Sequence, residues 1–190
     1  ITLSKFADTL SSGKFAVTCE LNPPKGIALE PLLGKALALK GSVDAFNLTD
    51  SAGSNLAMAP IGAARLLAEE GVETILQMVC RDRNRLALQS EMLAASALGL
   101  SNILCMTGDP PGKGDHPEAK AVFDIDGVDL LRAVSSLASG QDFAGNTLKG
   151  TPEIFPGAVV NPGASDLDKE FARMEDKIKA GASFFQSQAV

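Results

Sequence analysis

Gly71-Val72-Glu73-Thr74-Ile75-Leu76-Gln77-Met78-Val79-Cys80 reads as a helix end, a short turn and an apolar strand. Glycine supplies at little steric cost the left-handed backbone that closes a helix, and a run of apolar residues starts a few positions later. The same junction stands at Gly41-Ser-Val-Asp before Ala45-Phe46, at Gly99-Leu-Ser-Asn before Ile103-Leu104, and at Gly181-Ala-Ser-Phe before Phe185. A junction that recurs in this way marks a repeated supersecondary unit.

Working outward from these junctions, strands are expected near 15–21 (β1), 45–50 (β2), 74–80 (β3), 102–107 (β4), 154–161 (β5) and 184–190 (β6). Most intervals are about thirty residues, room for one strand and one crossover helix, which predicts a parallel α/β sheet. Pro60 suits a first helical turn, with Ile61, Ala64 and Ala68 on the face toward the sheet. Asp82 is the expected cap of the next helix, in which Leu88, Met92 and Ala95 recur at core spacing. The longer β4–β5 interval opens on the turn-rich segment Gly108-Asp-Pro-Pro-Gly-Lys-Gly-Asp-His116-Pro and continues into a helix near 128–137.

Composition narrows the class. The 190 residues, 45% hydrophobic and 21% charged, suit one folded domain and neither a disordered tail nor a membrane protein. With a net charge of −6 and scattered Lys and Arg, no nucleic-acid footprint is expected. No apolar run reaches the ~20 residues of a membrane helix, and the first fifteen residues carry no secretory pattern, so a cytoplasmic protein is expected. Cys19, Cys80 and Cys105 lie in apolar stretches at no metal-ligand spacing; they are expected to be buried reduced thiols, with no metal site.

Polar residues at the strand ends carry the functional signal, because in parallel barrels the C-terminal strand ends line the active site. Each strand supplies one: Glu20, Thr49, Gln77, Asp109, Asn161 and Gln188. Alternation places Thr18 with Glu20, Asn47 with Thr49, Thr107 with Asp109, and Gln186 with Gln188. Glu20 stands in the apolar run Ala16-Val-Thr-Cys-Glu-Leu21; a carboxyl group buried there would hold its proton more tightly and suit proton donation.

Glu20-Leu-Asn-Pro-Pro-Lys25, Gly108-Asp109-Pro-Pro and Ser187-Gln188, with Asn47-Leu-Thr-Asp50, the stretch from Gln77 to Arg85 and Val160-Asn161-Pro-Gly163, together resemble the motifs of the methylenetetrahydrofolate reductase family. The resemblance implies a (β/α)₈ TIM barrel that binds FAD and reduces 5,10-methylenetetrahydrofolate to 5-methyltetrahydrofolate with NADH or NADPH. It implies Glu20 as general acid, Asp109 and Gln188 as pterin ligands, and Thr49, Gln77, Thr107, Gly108, Asp109, Asn161 and Lys177 as FAD contacts, Lys177 toward the diphosphate. Gln77, Thr107 and Asn161 depart from the His, Arg and aromatic residue typical of those positions.

About six βα units of the eight are expected in 1–190, read as a single barrel domain that is C-terminally incomplete. A homo-oligomer, or a complex with another subunit, is expected accordingly. A pterin-binding methyltransferase on the same barrel, or a non-catalytic folate- or flavin-binding subunit, stands as the alternative.

Overall fold

The computed structural model describes residues 4–189. Six parallel strands, β1 (Thr18–Leu21), β2 (Ala45–Leu48), β3 (Thr74–Val79), β4 (Asn102–Met106), β5 (Phe155–Val160) and β6 (Phe184–Ser187), form one sheet in the order β1-β2-β3-β4-β5-β6. Helices α1 (Lys5–Ser11), α2 (Glu30–Leu39), α3 (Pro60–Glu69), α4 (Arg85–Ala97), α5 (Gly127–Ala138) and α6 (Leu167–Lys179) alternate with them. The result is a curled half-barrel, the TIM-barrel arrangement over six strands and the five crossover helices between them, with α1 ahead of β1. Observed strands are shorter than expected at one or both ends, because the ladder stops where the chain turns into the loops; Val190 lies outside the described residues.

Alternation divides the sheet into two apolar faces. Leu48, Leu76, Met78, Ile103 and Ala158 point outward and bury themselves against Ala64 and Leu67 of α3, Leu88 and Met92 of α4, and Leu130, Val134 and Leu137 of α5. Ala45, Ile75, Leu104 and Phe184 form the inner face, where Phe6 of α1 packs among them. The Phe6 ring meets that of Phe184 edge-on at 5.2 Å. Ser4 caps α1 and donates from Oγ to Asn102 Oδ1 at 2.6 Å, and Asn102 Nδ2 donates to Glu73 Oε1 at 2.8 Å. These bonds hold α1 across the end where the strands begin, which leaves the opposite end open for chemistry.

Two local expectations need correction. The cap of α4 is Asn84, whose side chain accepts from Ala87 N at 3.0 Å; Asp82 instead accepts from the Arg81 guanidinium. On α3 the buried stripe is Ala63, Ala64 and Leu67, with Ile61 and Ala68 half-buried at its margins, a small rotation of the expected face. The long β4–β5 interval is filled by a 3-10 turn at Pro111–Lys113, by α5, and by a loop closed by a single antiparallel bridge between Gln141 and Thr147.

Candidate active site at the strand ends

The C-terminal ends of the strands enclose a cavity of about 600 Å³. It is lined by Glu20, Thr49, Gln77, Thr107, Gly108, Asp109, Asn161, Lys177 and Gln188, so the structure brings together every site residue expected from the sequence. Parallel pairing does this: Glu20 lies opposite Asn47, and Gln77 opposite Leu104, so that successive strands present matched positions.

Glu20 and Gln77 meet inside the mouth, Gln77 Nε2 donating to Glu20 Oε2 at 3.5 Å. Glu20 is exposed, so the burial expected from its apolar neighbours is not there: Cys19 and Leu21 on either side pack toward the helices, whereas Glu20 faces the cavity. Below it, Asn47 Nδ2 donates to Thr18 Oγ1 at 3.1 Å. Thr49 is buried and donates to Asn22 Oδ1 at 2.8 Å, which anchors the loop after β1.

On the other side, Thr107 Oγ1 accepts the Gly127 amide at 3.1 Å, so its hydroxyl already serves the start of α5. Gly108 has φ +89°, and a Cβ there would stand 2.9 Å from Val79 Cβ; only glycine lets the chain turn this tightly against β3. Asp109 follows it, exposed at the rim. Asn161 N donates to Glu170 Oε1 at 3.0 Å. Lys177 is buried; its Nζ donates to Val159 O at 2.7 Å and lies 4.0 Å from Glu170 Oε1. Desolvation pushes the Lys177 ammonium below its ordinary pKa, and the Glu170 carboxylate opposes that shift.

Several cavity residues escaped the sequence reading: Asp50, Arg81, Glu170 and Arg173. Asp50 Oδ2 accepts Val79 N at 3.0 Å and also the Arg83 guanidinium, which pairs in addition with Glu91 of α4. The spacing of Glu170, Arg173 and Lys177, one face of α6, was the available signal for two of them. For Arg81 no signal existed, because a charge-rich run such as Arg81-Asp-Arg-Asn-Arg85 ordinarily marks a solvated surface. Among the described residues no group of three or more His, Cys, Asp or Glu side chains is placed to hold a metal ion, and no helix is long and apolar enough to cross a membrane.

The family description methylenetetrahydrofolate reductase matches residues 5–190, nearly the whole chain. The chain belongs to the methylenetetrahydrofolate reductase family. Among its relatives, the Zea mays methylenetetrahydrofolate reductase (NADH) 1 is 25% identical over 193 residues, 98% of this chain and 32% of that protein. Methylenetetrahydrofolate reductase 2 of Schizosaccharomyces pombe is 24% identical over 95% of this chain and 28% of its own length. The chain thus spans about a third of the length of these curated relatives. A solved structure of an uncharacterized protein from Clostridium thermocellum, described as binding two copies of 5-methyl-5,6,7,8-tetrahydrofolic acid, superposes with a TM-score of 0.62. That likeness covers 97% of this chain and 58% of the other at 14% identity, and it shows the shared fold.

Proposed function

We propose that these strand ends hold FAD and reduce 5,10-methylenetetrahydrofolate to 5-methyltetrahydrofolate with electrons from NADH or NADPH. The observation that carries the reading is the Glu20–Gln77 pair, a carboxylic acid beside an amide donor within a strand-end cavity of a chain from this family. The residues present fit a flavin. Val79, Met106, Val128 and Val159 offer an aliphatic bed for a flat ring; among the described residues no phenylalanine lines the cavity. Thr49, Gln77 and Asn161 offer polar edges, and Arg173 with Lys177 supplies positive charge for a diphosphate.

When bound, the flavin supplies the hydride chemistry, and the protein supplies orientation and charge. Glu20 donates a proton to the folate nitrogen that departs as the five-membered ring opens. The Gln77 amide, 3.5 Å from Glu20 Oε2, holds that side chain within the cavity. Asp109 and Gln188 hold the pterin by hydrogen bonds at the rim.

Glu20→Gln keeps the shape and the acceptor for Gln77 while removing the proton. Folate reduction is expected to fall ~10²–10⁴-fold, with reduction of bound flavin by NADH or NADPH unchanged. Equal loss of both half-reactions would make Glu20 a flavin or structural group. A colourless protein that binds folate would support the methyltransferase or the non-catalytic subunit instead.

A further inference from the structure

The buried guanidinium of Arg81 has no part in the chemistry above, yet it underlies the loop that carries Asp109. Its side chain is 4% exposed. Nε and Nη2 bind the two oxygens of Asp82 at 2.9 and 2.7 Å, Nη2 also reaches Ser51 O at 3.4 Å, and Nη1 donates to Ser54 Oγ at 3.1 Å. Ser54 passes that bond on: its hydroxyl lies 3.4 Å from Asp109 O and 3.2 Å from Pro110 O. The far end of the same loop is tied to the same residue, Val122 N donating to Arg81 O at 2.8 Å. Ser51 and Ser54 hold φ of +49° and +62°, strained for residues with a Cβ, and strain of this kind persists only where surrounding contacts enforce it. Gly114 sits so close on Ser54 that a Cβ would meet its carbonyl oxygen at 1.8 Å.

We propose that Arg81, acting through Ser54, is the positioning residue that fixes Asp109 at the rim of the cavity and so sets affinity for the reduced folate. The inference rests on the reading of Asp109 as a folate ligand. A guanidinium donor polarises the serine hydroxyl and strengthens the bond that hydroxyl makes to the Asp109–Pro110 backbone. Lysine could not replace it, because an ammonium cannot hold both oxygens of Asp82 and reach Ser54 in one plane.

The test is a double-mutant cycle in the full-chain protein, read by the dissociation constant of 5-methyltetrahydrofolate and by the KM for 5,10-methylenetetrahydrofolate. Ser54→Ala and Arg81→Lys are each expected to weaken folate binding roughly tenfold, the loss of about one charge-assisted hydrogen bond. In both variants the KM for 5,10-methylenetetrahydrofolate should rise more than kcat falls, because the clamp acts on the residue that binds the folate. In an Asp109→Asn background, Ser54→Ala should cost less than about twofold, since the group it positions is already disabled. Equal losses in both backgrounds, or wild-type folate affinity in Ser54→Ala and Arg81→Lys, would overturn the inference and leave the reductase reading standing. Failure of the unsubstituted protein to bind folate would overturn both.

Discussion

Gln186 of β6 donates to Asn47 of β2 at 2.7 Å, although β3, β4 and β5 lie between their strands in the sheet. Only a strongly curled sheet brings these amides together, so this one bond reports the barrel curvature directly. Asn47 is 7% exposed and spends its own amide on Thr18, so loss of Gln186 leaves its carbonyl unpaired in a buried place. Gln186→Leu is expected to destabilise by ~1–3 kcal/mol in urea unfolding. A cycle with Asn47→Leu should show coupling of at least ~0.5 kcal/mol; strict additivity would mean that the two amides do not meet in solution.

Gly157 of β5 faces inward, where a Cβ would stand 2.2 Å from Phe184 Cζ. Its φ is unremarkable, so the demand for glycine is steric alone, set by the aromatic cluster of Phe6, Phe155 and Phe184. Gly157→Ala is expected to cost ~1–3 kcal/mol by overpacking. Adding Phe184→Leu should recover part of that cost; if the double variant is as unstable as the sum of the singles, the ring is not what excludes the methyl group.

The thiols should divide by burial. Burial, followed by the negative charge of Asp126, pushes the Cys80 thiol up to about 12, and burial pushes Cys105 up as well, whereas Cys19 is half-buried. A thiol-reactive dye at pH 8 should label one cysteine in the native protein and three in denaturant. The pH dependence has a definite sign. Groups raised in the folded state stabilise fully below their ordinary value of 9.0 and lose that contribution as pH climbs toward 12. Unfolding midpoints should therefore decline above about pH 9, and a flat profile would contradict the burial of both thiols.

Asn84→Ala removes the cap of α4 and is expected to cost ~1 kcal/mol, within the usual ~0.5–2 kcal/mol of such caps. Asp82→Ala leaves that cap intact and acts on Arg81, so it should weaken folate binding more than Asn84→Ala does. Binding that fell equally in the two variants would argue for a general loosening of the loop before α4.

Element order, strand-to-helix alternation and the parity that sends Glu20, Gln77 and Gln188 toward one face were legible in the amino-acid sequence. These depend on neighbours along the chain: glycine closing a helix, a two-residue period in strands, and a helical period in the crossovers. The capping of α4 was misread because Asp82 and Asn84 are both good caps, and the choice between them turned on a guanidinium that claimed Asp82.

What only the tertiary structure decided is how remote residues meet. Glu20 is exposed and Arg81 buried, the reverse of what their local settings suggest, because burial depends on which elements cross above a residue. Lys177 turns to the Val159 carbonyl and Glu170, and Ser54 reaches the Asp109 loop 55 residues away. Such contacts follow from strand register and sheet curl, which are settled by the packing of the whole chain at once, so no window of the sequence contains them.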